Sequence, residues 1–268
     1  MNQRVIVAAV QIASGPEEDA NWARAQDLAR RARDRGAELI AFPENLLYEG
    51  PDRERRHPLD AWEPRFGALA RELGCVLVAG SVREPGGSDG RAYNTTLVLG
   101  PTGERLASYR KIHLFDVDVP GGPNEQESSY MAPGDDGPVA VDLPQLGPTG
   151  LAICYDLRFP ELFRALAASG ARTVILPSSF ALGTGKDHWE VLVRARAIEN
   201  QVYVIAPDQF GVKHGGRVKY GHTVIVDPWG VVLGRAAERG EDVVVCELDF
   251  AHQDRIRAGL PCLDHRRL

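Results

Sequence analysis

Along this chain, unbroken apolar runs alternate with stretches whose apolar positions recur every three or four residues. "RVIVAAVQI" (4–12) is almost wholly apolar and predicts a strand buried on both faces. Ala25, Leu28, Ala29 and Ala32 then fall at helical spacing among arginines, predicting a helix with one buried stripe. "AELIAFPE" (37–44) reads as a second buried strand ending at Pro43, and a helix over 59–74 leads into the strand "CVLVAGS" (75–81). Two further strands, "YNTTLVLG" and "RLASYRKI", flank the turn "GPTG". Residues 118–138 are dense in glycine, proline and acids and predict a long loop, a feature that in a compact domain usually carries function. Beyond it the pattern predicts a strand, a helix from Pro160 to Gly170, the strand "RTVILPSSF", a helix over 187–200 and the strand "QVYVIAP". A hairpin "HTVIVDPWGVVLG" turning at "DPWG" and the strand "EDVVVCELDF" follow. Continuous strands together with hairpins predict an α/β fold of mixed sheets covered by helices. No repeat or linker interrupts the pattern, so a single domain over 1–268 is expected.

Composition narrows the function. Charged residues make up 25% and the net charge is −6, which excludes the basic footprint of a nucleic-acid binder or a membrane-surface protein. No segment approaches the ~20 apolar residues that span a bilayer. The apolar run Val5–Val10 is too short for a signal peptide's core. None of the four cysteines (Cys75, Cys154, Cys246, Cys262) forms a Cys-x-x-Cys pair. Neither a zinc site nor a disulfide framework is expected, and a reducing cytoplasm is the expected location.

Cys154 stands apart from the other cysteines. In "TGLAICYDLRFPELF" (149–163) it lies at the end of an apolar strand and just before a cluster of charges. A buried thiol is usually inert packing, but a strand-to-helix turn is where α/β sheets carry reactive groups. A helix N-terminus there would favour thiolate. Glu44 and Lys111 also end apolar runs, and Glu127 lies in the long acidic loop. Singly, they read equally as a helix-start carboxylate, a solvated edge charge and a surface acid. Together they make up a set of roles: thiol nucleophile, proton acceptor and donor, and a cation for a tetrahedral oxyanion. That is what hydrolysis of an amide through a thiol requires.

"AFPENLLYEG", "YRKIHLFDVDVPGG" and "AICYDLRFPELF" resemble, in order, the three signature segments of the nitrilase (carbon–nitrogen hydrolase) superfamily. The likeness continues through "HWEVLVRARAIENQVYVIAP", "YGHTVIVDPWG" and "LPCLDHRR". It implies an α-β-β-α sandwich of two mixed sheets flanked by helices, associating as a homodimer or higher homo-oligomer. It casts Glu44 as general base, Lys111 as oxyanion stabiliser, Cys154 as nucleophile and Glu127 as the lysine's support. The N–H of Tyr155 would be a second oxyanion donor. No metal or organic cofactor is implied. Tyr155-Asp156 after the cysteine, where nitrilases commonly carry Trp-Glu, points to an amidase branch. The segments look most like those of deaminated-glutathione amidases, with an omega-amidase acting on 2-oxoglutaramate, or an N-carbamoyl or other small-amide hydrolase, as alternatives. Such substrates carry a carboxylate, so a cation is expected in the pocket. Arg158 is the candidate, with Tyr48 and Phe180 as walls. The charged segment "YEGPDRERRHPLDAW" departs from the family's pocket-edge loop. A cysteine–histidine hydrolase using His188 or His222, and a catalytically silent scaffold of the same fold, are the rival readings.

Overall fold

The computed structural model describes residues 4–87 and 89–267. Two mixed sheets lie at its centre. In the first, the strand order is Asp242–Asp249, Arg4–Gln11, Leu39–Ala41, Val76–Val78, Ala92–Leu99 and Val82–Pro85, with Arg105–Arg110 and Met131–Ala132 also paired to Ala92–Leu99. In the second it is Ala140–Leu143, Gly147–Leu151, Thr173–Ile175, Tyr203–Ala206, Val224–Val226 and Val232–Arg235. Each sheet has a parallel centre, Arg4–Gln11 with Leu39–Ala41 and Val76–Val78 in one and Gly147–Leu151 through Tyr203–Ala206 in the other. Antiparallel pairs flank both centres.

The first strand shows why its sequence is apolar throughout. Val5, Val7 and Ala9 face the second sheet and join its core, while Ala8, Val10 and Ile12 face the helices α1 (Glu18–Asp34) and α2 (Leu59–Leu73). A two-residue period with both faces buried leaves no polar alternation. On the far side, α3 (Pro160–Ala168) buries Leu162, Phe163 and Leu166, and α4 (Leu182–Asn200) buries Trp189, Val193 and Ala197 against the second sheet. The layers are therefore helix, sheet, sheet, helix, as the motifs implied. Among the described residues no helix is long and apolar enough to cross a membrane.

Two expectations are corrected, and one helix is new. The 118–138 stretch is not a plain loop: Asp116–Asp118 and Asn124–Gln126 form a two-stranded hairpin, followed by a 3-10 turn over Glu127–Ser129. Helix α4 begins at Leu182, not near 187, so His188 lies inside it. Its first turns contain Gly183 and Gly185, which weaken helix propensity. Packing overrides that weakness, since a Cβ at Gly185 would lie 2.5 Å from Tyr220 Cγ, and only glycine lets the helix seat there. Finally, a helix the pattern did not announce, α5 (Phe250–Gly259), follows the last strand, capped by Asp249 accepting from the His252 N–H at 3.0 Å.

Candidate active site

Four strand ends converge between the sheets. Glu44 follows Leu39–Ala41, Lys111 follows Arg105–Arg110, and Glu127 opens the 3-10 turn after the hairpin. Cys154 comes from the other sheet, three residues after Gly147–Leu151, at the start of the 3-10 turn Cys154–Arg158. Gly80, at φ +64°, lets the chain after Val76–Val78 pass against the backbone before Glu44, where a Cβ would lie 2.0 Å from the Pro43 carbonyl oxygen. Cys154 itself is left-handed at φ +45°, a conformation costly for a non-glycine residue and met at strained turns that present a reactive side chain.

The charged groups form one buried network. Lys111 Nζ lies 3.0 Å from Glu44 Oε1 and 2.9 and 3.2 Å from the two oxygens of Glu127. Asn94 Nδ2 donates to Glu44 at 2.8 Å and to Glu127 at 3.3 Å, and the Phe115 N–H donates to Glu127 at 2.7 Å. Burial alone would favour neutral lysine, but the charges of Glu127 and Glu44 hold Lys111 protonated well above its ordinary range. For Cys154 the balance reverses. Burial and the Glu44 charge push the thiol well above its usual range, against the pull of Lys111. Burial and the Glu44 charge thus oppose the thiolate that the start of α3 at Pro160 was expected to favour.

Asp156 secures the turn that carries the sulfur. Fully buried, it accepts from the Ile153 N–H at 2.8 Å, the Tyr109 hydroxyl at 2.7 Å and the His113 N–H at 3.2 Å, and its Oδ1 lies 2.7 Å from His113 Nδ1. The N–H groups of Cys154 and Asp156 are taken by the carbonyls of Pro177 and Ile153, while no acceptor among the described residues takes that of Tyr155.

Glu44, Lys111, Glu127 and Cys154 all line a cavity of about 420 Å³. Phe180, one of the two expected walls, lines it together with Tyr155 and Phe115, whose ring meets Tyr155 at 5.0 Å. Arg158 and Tyr48 are not in that wall. The Arg158 guanidinium lies over the Phe180 and Tyr155 rings at 5.3 and 5.8 Å and 3.3 Å from His188 Nδ1, and the Tyr48 hydroxyl accepts from the Asp52 N–H at 2.8 Å. The cations that do line the cavity, besides Lys111, are Arg83, Arg217 and Lys219. Sequence reasoning missed these three, and it missed Asn94 and the role of Asp156. Asn94 offered one signal, a polar amide inside the apolar strand "YNTTLVLG". His188 and His222 are absent from the wall as well, which removes the local support for a cysteine–histidine pair.

A sequence profile described as carbon-nitrogen hydrolase matches residues 6–258. The chain is 40% identical over 266 residues to the deaminated glutathione amidase of Synechocystis sp., with 97% of both chains covered. It is 38% identical over 263 residues to omega-amidase NIT2 of Xenopus tropicalis, covering 96% of this chain and 93% of that one. The crystal structure of Saccharomyces cerevisiae Nit3, a member of branch 10 of the nitrilase superfamily, matches with a TM-score of 0.88 at 31% identity, covering 99% of this chain and 97% of that one.

Proposed function

The chain belongs to the carbon–nitrogen hydrolase family, and from that premise we propose that it is a thiol amidase acting on the amide of a small 2-oxo acid, of the deaminated glutathione type. The observation that carries this reading is the Lys111 ammonium held between Glu44 and Glu127 in the same cavity that Cys154 lines.

The chemistry follows from the charge balance. Burial and the Glu44 charge favour the thiol over the thiolate, so the proton must leave as the sulfur attacks, and Glu44 takes it as general base. The sulfur adds to the amide carbon, and the carbonyl oxygen becomes an oxyanion stabilised by Lys111 and the N–H of Tyr155. Collapse breaks the C–N bond. The amine departs with the proton from Glu44 and leaves a thioester on Cys154. Glu44 then deprotonates water, which adds to the thioester, and the carboxylic acid is released with the thiol restored. Glu127 keeps Lys111 charged and aimed throughout, and Asn94 spaces the two carboxylates.

The working form is a homo-oligomer built on the outer face of α4. Val191, Ile198, Trp229 and Val231 are 66, 46, 58 and 51% exposed. They form one patch, because Arg194 Nε donates to the Gly230 carbonyl at 2.8 Å and ties the helix to the 227–231 turn. A second copy of this chain would bury it. A reducing compartment such as the cytoplasm suits an enzyme whose thiol must stay unoxidised.

The test is hydrolysis of deaminated glutathione, 2-oxoglutaramate, an N-carbamoyl amino acid and a nitrile, with Cys154→Ala beside the wild type. Deaminated glutathione should have the highest kcat/KM, Cys154→Ala should be inactive, and intact-mass analysis should find an acyl adduct on Cys154. The likeness to the omega-amidase supports a second reading, which prevails if 2-oxoglutaramate is preferred tenfold or more, about 1.4 kcal/mol at the transition state. No turnover of any of the four would leave the scaffold reading.

A further inference from the structure

Around the cavity, nearly every cation already has a carboxylate. Lys111 pairs with Glu44 and Glu127, Lys219 lies 3.6 Å from Glu49, and Arg217 lies 3.1 Å from Glu125. At the outer end Arg53 shares that same Glu125 at 2.6 Å. Arg83 is different. It lines both the main cavity and an adjoining outer cavity of about 290 Å³, yet no carboxylate among the described residues lies within ion-pair distance of it.

This guanidinium is also buried, at 7% exposure. One Nη donates to the Asp52 carbonyl at 2.8 Å, Nε is closed off from solvent without a partner, and the second Nη has no hydrogen bond among the described residues. The Tyr48 and Tyr130 rings lie 5.3 and 5.7 Å from its centre and hold its plane by cation–π contact. Its backbone is pinned by two hydrogen bonds with His57. Glu49 in the same wall feels its charge from beyond contact distance, and a buried guanidinium with no contact ion pair is costly unless an anion completes it. The second Nη of a guanidinium held in a fixed plane is the donor left for a carboxylate.

We propose that Arg83 is the residue that receives the substrate's carboxylate. The inference rests on the amidase reading and deepens it. The acyl half of the substrate carries a terminal carboxylate remote from the amide, and Arg83 holds that end while the amide carbon meets Cys154. Arg83 thereby selects acidic amides over neutral ones, the role expected of Arg158 from the sequence. Tyr48, absent from the cavity wall, acts through Arg83 as one side of its aromatic seat.

Two measurements test this, one independent of turnover. In a Cys154→Ala background, calorimetric titration with 2-oxoglutarate, the acyl product of such amides, should show binding that weakens by about 10–150-fold on adding Arg83→Met, the loss expected for one charge-assisted contact. Arg83→Lys keeps the charge without the fork and should fall in between; it carries the test should Arg83→Met fail to fold. In the active protein, Arg83→Met should lower the ratio of kcat/KM for 2-oxoglutaramate to that for a neutral alkyl amide by a similar factor, mainly through KM. Unchanged 2-oxoglutarate binding in the variants overturns the proposal, as does a ratio that stays within threefold of the wild type. If the protein binds 2-oxoglutarate through Arg83 but hydrolyses no amide, the amidase reading fails and the anion site stands.

Discussion

The backbone N–H of Arg83 donates to Nδ1 of His57 at 3.1 Å, and the His57 N–H returns to the Arg83 carbonyl at 2.8 Å. The imidazole can accept that bond only while Nδ1 is unprotonated. Burial, with the charges of Arg83, Arg55 and Arg56, lowers its pKa to about 3. Glu18 stands 3.4 Å from Nε2 but out of line for a hydrogen bond, and it is engaged by Arg55.

That depression makes His57 an acid sensor of stability. The folded pKa lies below the unfolded value of 6.5, so the unfolded chain takes up the proton first. The stability contributed is complete above pH 6.5 and is lost as the pH falls from there toward 3. By pH 5 the loss reaches about 2 kcal/mol. Urea unfolding at pH 7.5 and 5 should show that much extra destabilisation in the wild type relative to His57→Asn, whose amide oxygen can still accept from Arg83. Equal pH dependence in the two proteins would place the acid sensitivity elsewhere.

Glu44→Gln should move two properties in opposite directions. Loss of the base should slow amide hydrolysis by about 10²–10⁴-fold. The same change removes a charge that opposes the thiolate and leaves Lys111 in place, so the Cys154 pKa should fall. Alkylation of Cys154 by iodoacetamide at pH 8, followed by peptide mass spectrometry, should become faster. Slower alkylation would contradict the charge balance described for the site.

Asp156→Ala should be strongly destabilising. It would strand the buried Ile153 N–H and Tyr109 hydroxyl and release the half-buried His113, at about 3–5 kcal/mol. Tyr109→Phe removes one of those bonds and should cost roughly 1 kcal/mol. Chemical denaturation separates the two. A loss below 1 kcal/mol for Asp156→Ala would show that the turn holds Cys154 without it.

Trp229→Glu and Ile198→Glu should shift the protein to monomer in light scattering coupled to size-exclusion chromatography. Each places a charge in the apolar patch without touching the cavity. A wild type already monomeric at micromolar concentration would rule out the α4 face as the association surface.

What was legible in the sequence was local. An apolar run such as Val5–Val10 needs only its own composition to declare a strand buried on both faces, and Ala25, Leu28, Ala29 and Ala32 declare a helix by spacing alone. The same locality placed Glu44 and Lys111 at strand ends and Cys154 at a turn leading to Pro160. Where structure is set by distant partners, local reading failed. The early start of α4 depends on Tyr220 against Gly185, and the hairpin within 116–126 depends on pairing that glycine- and acid-rich composition conceals.

The charges show the boundary most clearly. The sequence by itself determined that a thiol, a carboxylate and a lysine were available at the ends of strands, with a second carboxylate in the acidic loop, because strand ends follow from short-range periodicity. It also determined that the chain was apolar enough to build two facing sheets. Only the tertiary structure decided that Lys111 meets Glu44 across 67 positions of sequence, and that Arg83, not Arg158, is the guanidinium left without a carboxylate in the cavity. Pairing of charges is a matter of ångströms in a low-dielectric interior, where a cation is neutralised or left open by groups far away in the chain. No local pattern encodes that distance.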